Sequence, residues 1–398
     1  IYINIYIYMY ISLILRLFAI KQFNKGDVIL EEDPLVSCQF AWNAAYRYMA
    51  CDYCMRPLET PEQNVRRLAA KPDIVLPHAG NFEADLMNVN SCGQCESLYC
   101  CEDCKQRAYN SYHRLLCYDQ ADARHPIHIL LEAWKQMHYP PETTNILLLV
   151  RILAFIKQHP DPASAAGAIK QFCHRTVNED AELVHKMLGF CTMMALIGTN
   201  GQGIGTSPLA QWVSYVTELP MSDVEQQQMD LLIDKIYKDV ENGKRNIYFF
   251  YIILLLISSN HLCRDCDDRY IENHHSTASC CIIFFDFLES GQFLNTEGSG
   301  LFVLQSACNH SCAPNAESTF PYGNHRVQLK ALKTIMPGDE IFISYLDECT
   351  LQRSRHSRQK ELAENYLFMC WCERCTSETT QPDVTSEEEM SDEDCDCD

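Results

Sequence analysis

Hydrophobic residues recur at i, i+3 and i+4 through a long middle stretch of this chain, residues 125–242. The pattern is clearest over 128–134, 145–156 and 229–240, and it predicts amphipathic helices that bury one face. A further helix, rich in Arg and Lys, is expected at 351–367. These stretches are therefore predicted to supply the helical part of the fold.

Elsewhere the hydrophobic period falls towards two, which predicts short β-strands. Such strands are expected after the turn Lys25-Gly26-Asp27, over 326–330 and over 340–345. Residues 336–339 contain Pro-Gly and are expected to form a turn between two of these strands. The combination predicts an α+β fold.

The length of 398 residues is enough for two or three domains, and 47% hydrophobic with 21% charged residues indicates a globular protein. The formal charge of −21 argues against broad phosphate binding, so no direct nucleic-acid partner is expected. The basic run 353–360 is interpreted as a solvated helix face. Residues 378–398 contain ten Asp or Glu and no Lys or Arg. They predict a disordered tail that either attracts a basic partner or only aids solubility.

Two stretches, residues 1–15 and 243–290, have a composition foreign to the rest of the chain. Both are rich in Ile, Tyr, Phe, Leu and Asn. The first makes a poor signal peptide, and the apolar core of the second is shorter than the roughly 20 residues of a membrane-spanning helix. No membrane association is expected. We interpret both stretches as unspliced intron or mispredicted exon; an authentic buried strand or helix with a loop is the alternative.

The first cysteine cluster lies within residues 51–117, interrupted by a polar insertion at 55–91, and contains eight potential ligands. Cysteines in short pairs beside histidine favour zinc in a reducing compartment over disulfides. Eight ligands are enough for two tetrahedral zinc ions. We assign to one ion Cys51, Cys54, Cys100 and Cys104, and to the other Cys92, Cys95, His113 and Cys117. Cys101 is an alternative to Cys100. Such a module binds a peptide or supports a neighbouring domain.

The second cluster consists of Cys370, Cys372 and Cys375, and it leaves a structural zinc one ligand short. Cys312, within the motif Asn309-His310-Ser311-Cys312-Ala313-Pro314-Asn315, is the expected fourth ligand. That bond would fasten the C-terminal cysteines across the motif. A catalytic zinc with an open position is the competing interpretation, but a closed cysteine site lacks the water that hydrolysis needs.

The chain resembles the SET and MYND domain family of protein-lysine methyltransferases in the order of its features. These are the Lys-Gly-Asp-Val-Ile segment, the split zinc module, the helical insert, the Asn-His-Ser-Cys motif, the Glu-x4-Tyr strand and the final Cys-x-Cys-x2-Cys. The resemblance covers residues 17–375, apart from 243–290. It is strongest to the type with an acidic tail and no C-terminal helical repeat domain. It implies a SET-type β-fold whose chain crosses itself near 309–315.

The resemblance and the composition together divide the chain into eight parts. They are a spurious N-terminus (1–15), the first part of the SET domain (16–50), the MYND-type zinc module (51–117), the helical insert (118–242), a non-native insertion (243–290), the SET catalytic core (291–349), the post-SET helix and zinc cluster (350–375) and the acidic tail (376–398).

Roles for particular residues are also implied by the resemblance. Tyr345 corresponds to the catalytic tyrosine. The residues implied to contact the cofactor S-adenosylmethionine are Ser306, Asn309, His310, Tyr345 and Phe368. Tyr366 and Phe368 would line the channel for the substrate lysine. Two zinc ions would occupy the MYND-type module, and a third would lie between Cys312 and the C-terminal cysteines.

One position departs from the family pattern. The family carries Gly-x-Gly just before a Leu-Phe-Ala segment, where the glycines let the backbone approach the cofactor. In this chain Leu17-Phe18-Ala19 follows Ile14-Leu15-Arg16. Either the N-terminal sequence is wrong or the cofactor site is impaired.

The predicted function is methyl transfer from S-adenosylmethionine to a lysine of a basic protein, such as a histone tail or a ribosomal protein. The reaction needs a neutral amine, although free lysine has a pKa of about 10.4. An apolar channel and the adjacent sulfonium charge both lower that pKa, so positioning supplies most of the catalysis. The alternative is a catalytically weak adaptor whose zinc module binds a protein peptide. The nucleus and the cytoplasm are both expected locations.

Overall fold

A computed structural model describes most of the chain. The described residues are 5–9, 15–40, 43, 48–82, 88–119, 121–137, 146–172, 184–259 and 297–380. The predicted acidic tail beyond residue 380 and the predicted foreign block beyond residue 259 therefore lie outside the description. Within the described residues, we find no helix with the length and apolar character needed to span a membrane.

The strands are short, as the period-two stretches predict. They are β1 (Ile5–Met9), β2 (Leu15–Ala19), β3 (Val28–Glu32), β4 (Val36–Gln39), β5 (Asn90–Ser91), β6 (Leu98–Tyr99), β7 (Gln202–Ile204), β8 (Gly298–Leu301), β9 (Asn309–His310), β10 (Ala316–Thr319), β11 (Val327–Ala331) and β12 (Phe342–Ile343).

The helices fall mainly in the stretch with helical periodicity. They are α1 (Pro61–Ala69), α2 (Glu102–Ala108), α3 (Arg114–Leu116), α4 (Pro126–Met137), α5 (Ile146–Gln158), α6 (Pro162–Lys170), α7 (Val184–Asn200), α8 (Pro208–Thr217), α9 (Asp223–Ser259), α10 (Glu348–Gln352), α11 (Arg355–Asn365) and α12 (Glu373–Ser377). Short 3-10 turns lie at Ala79–Asn81, Gln305–Ala307 and Glu378–Thr380, and a π-type turn at Tyr109–His113.

Small sheets, rather than one large sheet, carry the β part of the fold. One three-stranded antiparallel sheet has the order β10-β11-β3, and another has the order β4-β8-β7. β9 pairs in parallel with β12, and β1 pairs antiparallel with β2. The α+β prediction is confirmed.

Two of the hydrophobic cores in the described part of the chain position the elements around the site. The first is formed by strands β2, β3, β11 and β12, with Leu17, Leu329 and Ile341 all fully buried. The second joins α5 and α7 to β4 and β8, so the helical insert packs on the sheet that precedes the Asn309–His310 strand. Burial on this scale is the main stabilising term, because each fully buried Leu or Ile contributes about 1.5–3 kcal/mol.

A buried guanidinium joins three parts of the chain. Arg151 on α5 donates from Nη1 to the backbone carbonyls of Ser37 and Asp52, at 2.8 Å each, and from Nη2 to the Asp52 carboxylate. Its guanidinium also lies 4.2 Å from the ring centroid of Tyr112. Burial opposes the charge, but Asp52 outweighs it and holds the pKa of Arg151 above its ordinary value. The helical insert, the zinc module and strand β4 therefore meet at one side chain.

Several predicted elements differ from those observed. The helix expected at 351–367 is two helices, α10 and α11, because Ser354 caps a new helix start and accepts a hydrogen bond from the Ser357 amide. Strand β7 interrupts the predicted helical stretch and pairs with β8. The turns at Gly26 and Gly338 are confirmed, and both glycines adopt a left-handed φ.

The predicted foreign block begins at residue 243, which lies inside α9 rather than at its end. At Gly243 this helix touches the backbone of α1, which belongs to the insertion within the zinc module. A Cβ atom on Gly243 would lie 2.2 Å from the Leu68 carbonyl oxygen. The two helices can approach this closely only because residue 243 has no side chain.

Gly243→Ala is expected to destabilise the fold by about 1–3 kcal/mol, because the added methyl group forces α1 and α9 apart. Gly198→Ala is the matched control: Gly198 lies in α7, where an added Cβ meets nothing within 4 Å. That control should be neutral or stabilising by up to about 1 kcal/mol. Thermal melting of both variants checks the prediction, and an unchanged midpoint for Gly243→Ala would contradict the close approach.

Candidate active site and metal clusters

Two very short strands bring the sequence-predicted site residues together. β9 and β12 pair in parallel, with Asn309 opposite Phe342 and His310 opposite Ile343. Asn315 fixes this pairing: its side chain accepts from the Phe342 amide at 2.7 Å and donates to the Glu340 carbonyl at 2.8 Å. The motif at 309–315 is thereby held against the strand that leads to Tyr345.

Tyr345 lies in a cluster of four aromatic side chains. Its ring centroid is 5.4 Å from that of His310, 5.0 Å from that of Tyr366 and 6.3 Å from that of Phe368. The Tyr345 hydroxyl donates to the Cys308 carbonyl at 2.7 Å, and the Tyr366 hydroxyl donates to the Tyr345 carbonyl at 3.1 Å. We call these four residues the aromatic cluster. It unites three of the five predicted cofactor contacts with both predicted channel residues.

Asn309 and Ser306 lie beside the aromatic cluster along the chain. Asn309 donates from its side chain to Glu340 at 2.6 Å. Ser306 lies in the 3-10 turn Gln305–Ala307, and its hydroxyl donates to the Val303 carbonyl at 3.3 Å. Glu32 on β3 fixes this turn by accepting from the backbone amides of Leu304 and Gln305.

Arg16 reaches the same carboxylate as Asn309. Its Nη1 lies 3.2 Å from Glu340 Oε2, and its Nε is buried without a hydrogen-bond partner. A long cationic side chain therefore stands where the family pattern would have a glycine. At this position the side chain of Arg16 occupies space that a glycine would leave open.

The four predicted ligands of the C-terminal metal cluster converge. The Cys312 sulfur lies 4.0 Å from that of Cys370 and 3.5 Å from that of Cys375. With Cys372, all four sulfurs lie within 4.8 Å of one another. Hydrogen bonding between the two sulfurs holds the pKa of Cys370 well below its ordinary value and raises that of Cys312, so one proton is shared within the pair. We call these residues the post-SET cluster.

Helix α11 supports the post-SET cluster with polar side chains. Gln359 donates to the Cys370 carbonyl at 2.6 Å and accepts from the Cys370 amide at 2.8 Å. Arg358 is fully buried and points a guanidinium nitrogen at the Cys375 sulfur, 3.7 Å away, and at Glu378. The interpretation of the run 353–360 as a solvated face is therefore wrong for Arg358.

The eight ligands of the zinc module also form the two predicted groups. Cys51, Cys54, Cys100 and Cys104 converge, and so do Cys92, Cys95, His113 and Cys117. Sulfur–sulfur distances include 3.5 Å between Cys100 and Cys104, and His113 Nε2 lies 3.3 Å from the Cys92 sulfur. Strands β5 and β6, helix α2 and the π-type turn position these side chains.

The ligand geometry fits tetrahedral zinc. Four sulfurs at about 2.3 Å from one ion lie about 3.8 Å apart. The measured sulfur–sulfur distances of 3.5, 3.6 and 4.0 Å surround that value. Zinc accepts both thiolate and imidazole ligands. Each of the three clusters could therefore hold one zinc ion.

Comparison with known proteins agrees with this geometry. A family model described as the SET domain matches residues 15–346. Protein-lysine N-trimethyltransferase SMYD5 of Danio rerio is 41% identical over 406 aligned residues, which cover 94% of this chain and 87% of the relative. The SMYD5 protein of Homo sapiens is 41% identical over 405 residues, covering 94% and 86%. The chain belongs to the SET and MYND family.

A more distant relative matches only part of the chain. Histone-lysine N-methyltransferase ASHR1 of Arabidopsis thaliana is 42% identical over 84 residues, which cover 21% of this chain and 16% of the relative. SET-domain methyltransferases use S-adenosylmethionine as methyl donor and act on protein substrates.

Several residues that build this SET and MYND site were missed from the sequence. Glu340 is the first residue of the Glu-x4-Tyr strand, and the motif does not indicate that it binds both Asn309 and Arg16. The basic helix pattern likewise does not distinguish Arg358 and Gln359 from their neighbours. Their burial depends on the cysteines that follow the helix, and no local pattern signals it.

The choice between Cys100 and Cys101 can be tested directly. Cys101 lies outside the four-ligand group, with its sulfur 3.8 Å from that of Cys100. Cys100→Ser is expected to lower the zinc content by one ion per chain, because a three-ligand structural site binds weakly. Cys101→Ser should leave the content unchanged. Metal analysis of the purified proteins checks this, and loss of zinc in the Cys101 variant alone would reverse the assignment.

Proposed function

We propose that this chain transfers a methyl group from S-adenosylmethionine to the ε-amine of a lysine in a basic protein. Membership of the SET and MYND family supports the class of reaction. The roles proposed for individual residues rest on the aromatic cluster. In this cluster, hydrogen bonds hold Tyr345 at its hydroxyl, its backbone amide and its backbone carbonyl. A tyrosine held at three points is suited to orienting a small reacting group.

The aromatic cluster supplies the environment that the lysine requires. The rings of Tyr345, Tyr366 and Phe368 would surround the lysine side chain, and their apolar character disfavours the charged ammonium. The Tyr345 hydroxyl donates its hydrogen to Cys308, so its oxygen can accept a hydrogen bond from the amine and direct the amine lone pair. Once the charge has formed on the methylated product, cation–π contact with the faces of the same rings would offset part of this desolvation cost.

Negative charge near the aromatic cluster supports a basic substrate. Burial raises the pKa of Tyr366, and the carboxylates of Glu361 and Asp347 raise it further. Such carboxylates would attract basic residues that flank the target lysine. A histone tail or a ribosomal protein has this character, and a nuclear or cytoplasmic location remains our prediction.

S-adenosylmethionine, when bound, supplies the methyl group as an electrophilic sulfonium. We propose that Ser306, Asn309, His310, Tyr345 and Phe368 line its site. We also propose that zinc occupies all three cysteine clusters and that the post-SET cluster holds Phe368 in place. These ions would be structural, because each cluster offers four protein ligands.

Incubating the protein with radiolabelled S-adenosylmethionine and either core histones or ribosomal proteins tests the proposal. Label should enter a lysine of one of these basic proteins. Absence of transfer to both, from a protein that binds the cofactor and holds three zinc ions, would contradict the proposal that the substrate is a histone or a ribosomal protein.

Tyr345→Phe is expected to lower kcat by about 100-fold or more, because the hydroxyl that orients the amine is lost. Its stability should fall by only about 1 kcal/mol, since one hydrogen bond to Cys308 disappears. Cofactor affinity should stay close to that of the parent protein in calorimetric titration. Tyr322→Phe is the control, because that hydroxyl binds Glu31 on the outer face of the sheet. Equal activity of the two variants would reject the role of Tyr345.

One observation favours the adaptor as a second candidate. Arg16 occupies the position of a family glycine and pairs with the carboxylate that Asn309 binds. If the polypeptide as it stands binds S-adenosylmethionine weakly, the zinc module could still bind a protein peptide while the SET domain serves as a support.

Arg16→Gly is expected to tighten S-adenosylmethionine binding by about tenfold, since a glycine lets the backbone approach and clears the side chain. Arg16→Lys, which keeps a long cation, should bind as the parent does. Isothermal titration of all three proteins checks this. A glycine variant that binds no better than the parent would show that Arg16 does not obstruct the site.

A further inference from the structure

His310 lies between the post-SET cluster and Tyr345, and both nitrogens of its ring have partners. Nε2 is 3.3 Å from the Cys312 sulfur, and Nδ1 is 2.9 Å from the Tyr345 backbone nitrogen. The ring is 7% exposed, so water competes little for either nitrogen.

The hydrogen bonds determine which nitrogen carries the proton. A backbone N–H can only donate, so Nδ1 must accept from Tyr345. In the neutral ring the proton is then on Nε2, which donates to the Cys312 sulfur. A metal-bound thiolate is a good acceptor for such a bond, and bonds of this kind orient metal ligands.

This geometry leaves the ring of His310 no nitrogen to offer a cofactor or to act as a base. A cofactor contact at this residue would have to come from its backbone on β9. The ring instead packs against Tyr345 and Phe368, with centroids 5.4 and 6.0 Å away. It therefore touches the aromatic cluster on one side and a metal ligand on the other.

We propose that His310 is a positioning residue that couples the metal state of the post-SET cluster to the placement of Tyr345. The donor on Nε2 holds the Cys312 thiolate, and the acceptor on Nδ1 holds the Tyr345 amide. A disturbance of the cysteine site is thus transmitted to the tyrosine through one rigid ring. This inference rests on the proposed role of Tyr345, but its main tests do not depend on methyl transfer.

Two substitutions of His310 each keep one of its two ring hydrogen bonds and remove the other. The side-chain oxygen of Asn can replace Nδ1, so His310→Asn keeps the acceptor for the Tyr345 amide and loses the donor to Cys312. The amide nitrogen of Gln reaches the position of Nε2, so His310→Gln keeps the donor and loses the acceptor. His356 is exposed on α11, and the same two substitutions there are the matched controls.

Two measurements on the purified protein report separately on the hydrogen bond to Cys312 and on the hydrogen bond to Tyr345. Zinc release to a coloured chelator is expected to be about tenfold faster in His310→Asn and unchanged in His310→Gln. Hydrogen exchange at the Tyr345 amide, followed by mass spectrometry, should be about tenfold faster in His310→Gln and unchanged in His310→Asn. Exchange in β11 serves as an internal reference for global unfolding. If both measurements change together in both variants, His310 is only a packing residue and the proposal fails.

Cys372→Ser tests the coupling itself, because Cys372 is a cluster ligand for which no contact with His310 is required. This substitution should accelerate exchange at the Tyr345 amide in the parent chain and have a smaller effect when combined with His310→Asn. An unchanged Tyr345 amide in Cys372→Ser would overturn the coupling.

A kinetic measurement then connects the inference to the reaction. With core histones or ribosomal proteins as substrate, His310→Gln should lower kcat and leave S-adenosylmethionine affinity unchanged. If the parent chain transfers no methyl group, the proposed function fails. The exchange and zinc-release results would still decide whether His310 couples the two sites.

Discussion

The parallel pairing of β9 with β12 is the constraint on which the site depends. Each strand has only two residues, so the ladder alone contributes little, and Asn315 adds two side-chain bonds that fix its register. A shift of one residue would turn His310 away from Tyr345 and separate Cys312 from the C-terminal cysteines. The aromatic cluster and the post-SET cluster are both consequences of this short contact.

Cysteines of the candidate metal clusters replace much of the hydrophobic core in two regions, the zinc module and the post-SET cluster. The core of the zinc module consists largely of its ligand cysteines, with Tyr99, Ala108 and Tyr112 among the few other buried members. The core around the post-SET cluster has the same character, with Leu346 and Leu362 beside three buried cysteines. Zinc in these clusters would make metal binding and folding one equilibrium. The placement of Phe368 would then depend on that equilibrium, because Phe368 and Cys370 belong to the same short segment.

The grouping of the cysteines could be predicted from the sequence because their spacing is local or is part of a family motif. Two cysteines separated by two or three residues can meet on one ion whatever the rest of the fold does, and the predicted groups in the zinc module agree with the observed ones. That Tyr345 and His310 lie next to each other was predicted from the family motifs, because hydrophobic periodicity does not indicate it.

What the sequence did not reveal depends on partners far along the chain. Arg151 is buried only because Ser37 and Asp52, 114 and 99 positions away, supply carbonyl and carboxylate oxygens. Arg358 is buried with its guanidinium against the Cys375 sulfur and the Glu378 carboxylate, both of which lie beyond its own helix. A hydrophobic pattern cannot predict that a charged residue will be enclosed, since the cost of burial is offset by groups that the pattern does not contain.

The junction at Arg151 has a mechanical consequence. Because one enclosed cation is bonded at once to the zinc module and to β4, and is carried by the helical insert, these parts have no hinge at that point. Separating these parts would leave the enclosed guanidinium of Arg151 without its hydrogen-bond partners, so the junction opposes such a motion. A protein partner bound to the zinc module would therefore also fix the orientation of the SET domain, because the two are joined rigidly at Arg151.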